Sequence, residues 1–461
     1  MTETSSPLRL RLRRRPPPAL RPWPAIDNIS IDGLFGRYSY PSLDLSNQSP
    51  QDRDIALFYG GNGTGKTTLL KLIYAALSPE DDAGLRSLLS ATPFRRFTCH
   101  LRDNTIIDIQ KKNGLIGDYD FRVSGPHEMF LSVIAGPDLA VRLDQNPNVS
   151  LITEVLSKVG LDMLFLHDSR RVQTTSGFLQ QSRLWPNEYD EEMWYASRTV
   201  GDPTLQYKRP DAALPIEYIV ATMYEWLRDR AARQGSSGES DVSLALLQLM
   251  RTLGTPKGSL EAPRQEDVLS TIAALEKQTT SYMSHGLMTE YPFAEIRELV
   301  LNAPRGKFLA ISSVLGPFLS SVETRMHALR EVHSVISTFE TEMNSYLRDK
   351  QVFVNVLEGV RFSDGKRDLE LDSLSSGERQ LVFLFCAAVL SRGTNSLFLV
   401  DEPELSLNSK WQRNLVGSMS NLVRGARTQF VMATHSIEIL SRHRGSAIGL
   451  DARGSTAPTG E

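Results

Sequence analysis

Apolar residues in this chain fall into two rhythms. Towards both ends they come in short runs closed by a small or charged residue. "IDNISIDGL" (26–34) alternates as a half-buried strand does, and "RDIALFYG" (53–60) is an apolar strand ending in glycine. "GNGTGKTTLLKLIYAALS" then starts a helix, with Leu69, Leu70, Ile73 and Leu77 at helical spacing. Between 97 and 124, "FTCHLRD", "TIIDIQKK" and "YDFRVSG" predict short antiparallel strands. "LDMLFLHDSRR" (161–171) is a further apolar strand running into charge.

From about Ile216 to Leu347 the rhythm is helical. "IEYIVATMYEWLRDRAARQ" is amphipathic, and "QGSSGES" after it predicts a flexible break. The last helix of this block spaces Val322, Arg325, Leu329, Val332, Ile336, Phe339, Met343 and Tyr346 by threes and fours. Only Arg325 interrupts that seam, and Met326 stands beside it. Such a seam suits a short helical hairpin or bundle, or an ordinary core-facing helix. Strands then return in "FVNVLEGVRF", "RDLELDSL", "SLFLVDEPE" and "QFVMATHS". Short strands flanked by helices predict an α/β sheet, with the helical block inserted into it.

Bulk properties exclude more than they assign. The 461 residues suffice for two to four packed units, and a net charge of −3 gives no global pull towards nucleic acid. Two cysteines, Cys99 and Cys386, make neither a disulfide framework nor a metal pattern, and predict a reducing, cytoplasmic setting. The longest apolar run, 381–390, is far short of the roughly 20 residues that span a bilayer, so no membrane is expected. The first 24 residues are unusual: six arginines lie between Arg9 and Arg21, and Glu3 is the one acid before Asp27. Pro16 to Pro18 forbid helix, so residues 1–25 read as a basic, disordered arm, solvated or contacting nucleic acid.

Three motifs carry chemistry. Gly60-Gly61-Asn62-Gly63-Thr64-Gly65-Lys66-Thr67 fits G-x-x-x-x-G-K-[ST], between a strand and a helix as that loop requires. Gly60, Gly63 and Gly65 permit torsions that turn several N–H groups towards one phosphate. Lys66 supplies a cation for the β- and γ-phosphates, and Thr67 a hydroxyl for Mg²⁺. In "SLFLVDEPE", Leu397 to Val400 bury a strand and set Asp401 at its C-terminal edge, to hold Mg²⁺ through water. Glu402 is placed to accept a proton from an attacking water. His435 ends another buried strand, 34 residues after Asp401, where it suits a γ-phosphate contact.

A fourth stretch, Leu374-Ser375-Ser376-Gly377-Glu378-Arg379-Gln380, is small and polar directly before the apolar run from Leu381 to Leu390. Locally it is a helix cap, and chemically it is an N-terminus built to receive an anion. The order of phosphate loop, "LSSGERQ", Asp-Glu strand end and strand-end His resembles the ABC class of P-loop ATPases. "DEPELSLNSKWQ" (401–412) and "ATHSIEIL" are similar to the SMC/RecF/OLD-like branch, and "GLFGRYSY" (33–40) to stand-alone bacterial AAA-type ATPases, including phage-defence ATPases of the PtuA and AriA kind. "LFLHDSRR" resembles the strand-plus-arginine element between the two lobes. Asn408 and Ser409 depart from that branch's His-Pro.

The resemblance implies a two-lobed ATPase head that binds ATP and Mg²⁺, pairs head to tail as a homodimer, and hydrolyses ATP with Glu402 and His435 as catalytic groups. Asn62, Thr64 and Thr68 join the glycines, Lys66 and Thr67 around the nucleotide. Ser375, Ser376, Gly377 and Glu378 close the neighbouring subunit's site. Gln173 is the candidate Mg²⁺-sensing glutamine. The implied division is a first lobe at 26–175, a helical insertion at 176–350, a second lobe at 351–445 and a disordered tail at 446–461. The 26 residues after His435 are too few for a nuclease domain, so a nuclease or toxin effector is expected as a separate polypeptide. Dimerisation is expected to gate that DNA-processing or defence partner. The competing readings are a sensor that binds ATP without hydrolysing it, and the nucleotide-binding subunit of a transporter.

Overall fold

In the computed structural model, the described residues are 22–46, 54–80, 84–142, 144–169, 172–175, 215–254, 264–393 and 395–450, without the side chains of 236–254, 305 and 306. Residues 1–21, Arg170, Arg171, 176–214 and 451–461 lie outside them, and with them most of the basic arm and tail. The centre is a six-stranded sheet in the order β15-β3-β14-β13-β8-β9. Its strands are β3 (Ile55–Tyr59), β8 (Asp162–Leu166), β9 (Val172–Thr174), β13 (Ser396–Asp401), β14 (Thr428–Ala433) and β15 (Ala447–Gly449). All run parallel except β9, which returns antiparallel beside β8.

The central strands read as unbroken apolar runs because both faces are covered. Alternate residues enter different cores. Leu57, Phe398, Val400, Phe430 and Met432 pack on the side of the helical insertion. Phe58, Leu397, Leu399, Val431 and Ala433 pack on the other side, against a second sheet and the helix α1 (Lys66–Leu77). That second sheet is antiparallel, ordered β2-β1-β4-β5-β6-β7, from β1 (Ile26–Leu34), β2 (Tyr38–Asp44), β4 (Arg96–Leu101), β5 (Ile106–Lys111), β6 (Tyr119–Ser124) and β7 (Met129–Val133). The fully buried Gln429 of β14 ties the two sheets together, with its amide exchanging hydrogen bonds of 2.7 and 2.8 Å with the backbone of Ile26. Two short helices follow in chain order, α2 (Leu85–Ala91) and α3 (Ser150–Val159).

The insertion comprises α4 (Ile216–Gly254), α5 (Gln265–Ser284), α6 (Phe293–Leu301) and α7 (Arg305–Tyr346). A three-stranded sheet of β10 (Gln351–Asn355), β11 (Gly359–Ser363) and β12 (Asp368–Leu369) leads back into the head. There α8 (Ser376–Leu390), α9 (Ser409–Leu422) and α10 (Ile437–Arg442) complete it. Leu381 to Leu390 are all buried. This is the α/β P-loop NTPase fold of ABC type, a parallel ATPase sheet joined to an antiparallel one, with a helical insertion.

Several local expectations fail. Helix α4 runs through "QGSSGES" without a break. Glycine in a helix costs only about 1 kcal/mol, and Glu331 of α7 holds that turn by accepting from Arg230 at 3.1 Å and from Gln234 at 3.0 Å. The seam of α7 is buried, but Met326 takes the place spaced to Arg325, which stays half-buried. "RDLELDSL" gives a two-residue strand and then a 3₁₀ turn at Leu371–Ser373. The tail expected from 446 instead begins with β15, and Leu450 is fully buried with its N–H on Tyr59 O at 2.7 Å. The edge of β3 offers unpaired backbone groups there, and pairing satisfies them. The arm is likewise ordered before residue 25: Pro24 and Ala25 are buried, and Arg102 lies over the Trp23 ring.

Candidate functional site

Parallel strands put their C-terminal ends on one edge of the sheet, and ligands of such sheets bind there. Pairing aligns Asp401 with Ala433, and Ala433 with Phe58. The phosphate loop, the turn after Asp401 and the turn carrying His435 therefore leave side by side.

The loop is wedged into place from the antiparallel sheet. Gly65 has φ 94°, and a Cβ there would lie 2.6 Å from Leu34 Cδ2, so both backbone and neighbour demand glycine. The Tyr40 hydroxyl donates to Thr64 O at 2.9 Å. Gly60, Asn62, Gly63 and Thr64 line the loop, and Lys66, Thr67 and Thr68 open helix α1. Lys66 Nζ is folded back on the loop, donating to Gly60 O at 3.0 Å and Gly61 O at 3.2 Å. Burial holds its pKa below the ordinary value, against the pull of Glu402, Asp401 and Glu404.

Thr67 Oγ1 donates to Asp401 Oδ1 at 3.1 Å. Burial raises the Asp401 carboxyl; the Thr67 bond opposes this, and the negative charge of Asp168 adds to it. Glu402 is the next residue, in the left-handed region at φ 52°, with its N–H on Ala433 O at 2.9 Å. A non-glycine residue held there costs on the order of 1–3 kcal/mol. Burial, then Glu404 and Asp401, push the Glu402 carboxyl up to about 7. His435 Nε2 lies 3.3 Å from Glu402 Oε1, which has the geometry of an ion pair. Burial and the charge of Lys66 lower the His435 pKa while that of Glu402 rises. Both directions weaken full charge pairing, so the 3.3 Å approach is a contact of ring and carboxyl rather than a strong ion pair.

The site thus gathers Asp168, Asp401, Glu402 and Glu404, with Lys66 and Lys71 the lysines whose charge acts on Asp401. Carboxylates this close repel when ionised, and a divalent cation relieves that. Asp401 and Thr67 offer oxygen donors of the kind Mg²⁺ takes. The residues present fit Mg²⁺.

Ser375, Ser376, Gly377 and Glu378 lie elsewhere. Ser375 caps α8 in a capping box: Glu378 N donates to Ser375 Oγ at 3.3 Å, and Ser375 N to Glu378 Oε2 at 2.7 Å. Lys350 pairs with Glu378 at 2.8 Å. Burial tends to raise the Glu378 carboxyl, but Lys350 and the Ser375 bonds hold it below the usual range. Gly377 is packed under α9, where a Cβ would meet Ser406 O at 2.8 Å and Trp411 at 3.0 Å. Ser375 and Ser376 are exposed, and among the described residues no hydrogen bond joins this turn to the phosphate loop. Gln173 sits half-buried on β9 opposite Phe165, and the structure brings it into no hydrogen bond with Thr67 or Asp401.

Sequence reasoning missed three supports: Tyr40, Asp168 and Glu404. Each stood inside a stretch read for its resemblance. The available signal was a third acid close behind a strand-end Asp-Glu, next to Pro403.

Residues 317–441 match the family described as "AAA domain, putative AbiEii toxin, Type IV TA system". No curated protein matches the chain. Similar solved structures include the Smc head domain of Pyrococcus furiosus, with an extended coiled coil and bound to the C-terminal domain of ScpA. It is 12% identical at a TM-score of 0.38, over 91% of this chain and 92% of that one. A second is the SmcHead bound to the C-winged helix domain of ScpA, 11% identical at a TM-score of 0.38, over the same shares. Superpositions this loose carry no argument about activity.

Proposed function

We propose that this protein is an ABC-type ATPase that binds ATP with Mg²⁺, hydrolyses it to ADP and phosphate, and uses nucleotide-dependent homodimerisation to gate a partner. The observation that carries the reading is the adjacency of Thr67, Asp401, Glu402 and His435 at the ends of aligned strands, beside a lysine in a glycine cradle.

In this reading the loop N–H groups from Gly60 to Thr68 hold the phosphates, and Lys66 swings from Gly60 O and Gly61 O onto the β- and γ-phosphates. Thr67 and Asp401 hold Mg²⁺, which when bound neutralises phosphate charge. Glu402 orients a water for in-line attack on the γ-phosphate and takes its proton; the bond from γ-phosphorus to the β–γ bridging oxygen breaks, leaving ADP and phosphate. A carboxyl near 7 suits a base at neutral pH. His435 steadies that carboxyl and contacts the γ-phosphate. Gln173 is the candidate Mg²⁺ sensor in this reading.

Two features support a dimer. Ser375 and Ser376 are exposed at a helix N-terminus, with no contact to their own phosphate loop, and can receive the γ-phosphate of a second subunit. Leu405 and Ile437, close in sequence to Glu404 and His435, are 41% and 81% exposed. A separate nuclease or toxin is the partner we favour, in keeping with the toxin–antitoxin wording of the family matched by 317–441. No described helix is long and apolar enough to cross a membrane.

The test is phosphate release by the full chain beside Lys66→Ala and Glu402→Gln. Turnover in the wild type and its loss in both variants supports the reading. Nucleotide binding with zero wild-type turnover would favour the sensor.

A further inference from the structure

Glu404 has the geometry of a tie between two catalytic turns. It is 8% exposed. Its Oε1 accepts three donors from the turn after β14: Thr434 Oγ1 at 2.7 Å, His435 N at 2.7 Å and Ser436 N at 3.0 Å. Oε2 is buried, with no hydrogen-bond partner, and among the described residues no cation stands within ion-pair distance of the carboxylate. The link continues: Ser436 Oγ donates to Gln412 Oε1 at 2.7 Å, and Gln412 Nε2 to Leu407 O at 2.8 Å. The turn after β13, the first turn of α9 and the turn carrying His435 thus share one hydrogen-bonded network, buried at Glu404.

Burying a carboxylate with no cation in direct ion-pair contact is costly, and folding alone does not call for it. An apolar side chain between Pro403 and Leu405 would fill the same space. The three donors identify what the carboxylate fixes. His435 N is held directly, and the flanking Thr434 and Ser436 are held beside it, so the histidine backbone cannot shift against the turn that bears Glu402. Glu402 is tied to the same strand end by its own N–H on Ala433 O at 2.9 Å. Together these bonds set the 3.3 Å separation of His435 Nε2 and Glu402 Oε1.

We propose that Glu404 is a positioning residue, whose carboxylate locks the His435 turn to the Glu402 turn and so sets the catalytic pair for hydrolysis. The claim rests on the ATPase reading above. It requires an acceptor oxygen at this place and no charge, which separates two substitutions. In Glu404→Gln the amide oxygen can accept the same three bonds. Glu404→Leu, close in volume, can accept none.

The test measures kcat and KM for ATP in both variants of the full chain. It also follows the His435 ring by NMR of histidine-labelled protein, with the signal assigned through His435→Gln. Glu404→Leu is expected to lose kcat on the order of 10- to 100-fold, as removal of an outer-shell partner does, with KM changed less than about threefold. Glu404→Gln is expected to restore kcat to within about threefold of wild type. The His435 signal should stay single and sharp in Glu404→Gln, and broaden or split in Glu404→Leu. Wild-type kcat in Glu404→Leu, or equal loss in both variants, overturns the proposal. If Glu404→Leu does not fold, Thr434→Val decides: it removes one donor and should lower kcat several-fold with KM held, and an unchanged kcat overturns the tie. Glu402→Gln runs alongside as the control. Wild-type turnover that is absent, or indifferent to that change, defeats the ATPase reading, and the His435 signal then judges Glu404 by itself.

Discussion

Thr67 Oγ1 donates to Asp401 Oδ1 across 3.1 Å, although the two residues are 334 positions apart in the chain. Everything in the helical insertion is folded out between these two atoms. The hydroxyl opens α1 and the carboxylate ends β13, so the contact exists only when both lobes share one sheet. Asp401→Asn keeps the hydrogen bond and removes the charge. Isothermal titration with ATP should show that the Mg²⁺-dependent gain in affinity shrinks on the order of tenfold or more, while Mg²⁺-free affinity changes little. An unaltered Mg²⁺ dependence would remove Asp401 from the metal site.

Lys66 gives the sharpest binding prediction. Its ammonium rests on Gly60 O and Gly61 O at 3.0 and 3.2 Å, ready to exchange two carbonyls for phosphate oxygens. Lys66→Ala should leave the fold intact and abolish measurable ATP binding. Wild-type affinity in that variant contradicts the phosphate-loop assignment.

The phosphate loop, the buried strand ending in Asp401 and the buried run of α8 from Leu381 to Leu390 were all legible in the sequence, for a common physical reason. Each joins a local pattern to a local consequence: Leu397 to Val400 can be apolar throughout only where both sheet faces are covered. What escaped reading depends on partners far along the chain. Glu404 looks like one more acid in a polar turn, and its three donors stand 30 to 32 residues away. Strand β15 is three residues long and forms only because β3 has a free edge. "QGSSGES" has the composition of a break, yet α7 supplies Glu331 to hold the turn in which it begins.

A pH dependence follows from Glu402, pushed up to about 7 from its ordinary 4.5. The sign is that of an acid whose folded pKa is raised. Its contribution to stability is fully present below about 4.5 and is lost as pH rises through about 7. Glu402→Gln removes the ionisation, so in nucleotide-free protein it should raise Tm at pH 8 more than at pH 5. Thermal unfolding at the two pH values checks this, and an equal shift at both contradicts the raised carboxyl. In the wild type, kcat/KM should climb with an apparent pKa near 7, since the base acts deprotonated.

The turn at Ser375 separates local from partner roles. Gly377→Ala should destabilise each subunit by about 1–3 kcal/mol, because the methyl would lie 2.8 Å from Ser406 O and must displace backbone. Ser375→Arg adds bulk at an exposed position. It should preserve ATP affinity and stop both dimer closure and hydrolysis. Turnover at the wild-type rate in Ser375→Arg refutes its role in the neighbour's site.

The central claim is that ATP closes a dimer and hydrolysis opens it. Glutamine at 402 keeps the shape of the site but cannot take the proton of water, and loss of a general base slows such reactions on the order of 100- to 10,000-fold. Bound ATP should then persist. The most direct measurement is light scattering behind size-exclusion chromatography on Glu402→Gln, with and without ATP and Mg²⁺. The account predicts a gain in dimer on adding ATP, abolished in the double variant with Ser375→Arg. A Glu402→Gln protein that hydrolyses slowly yet shows the same assembly with and without ATP would contradict it.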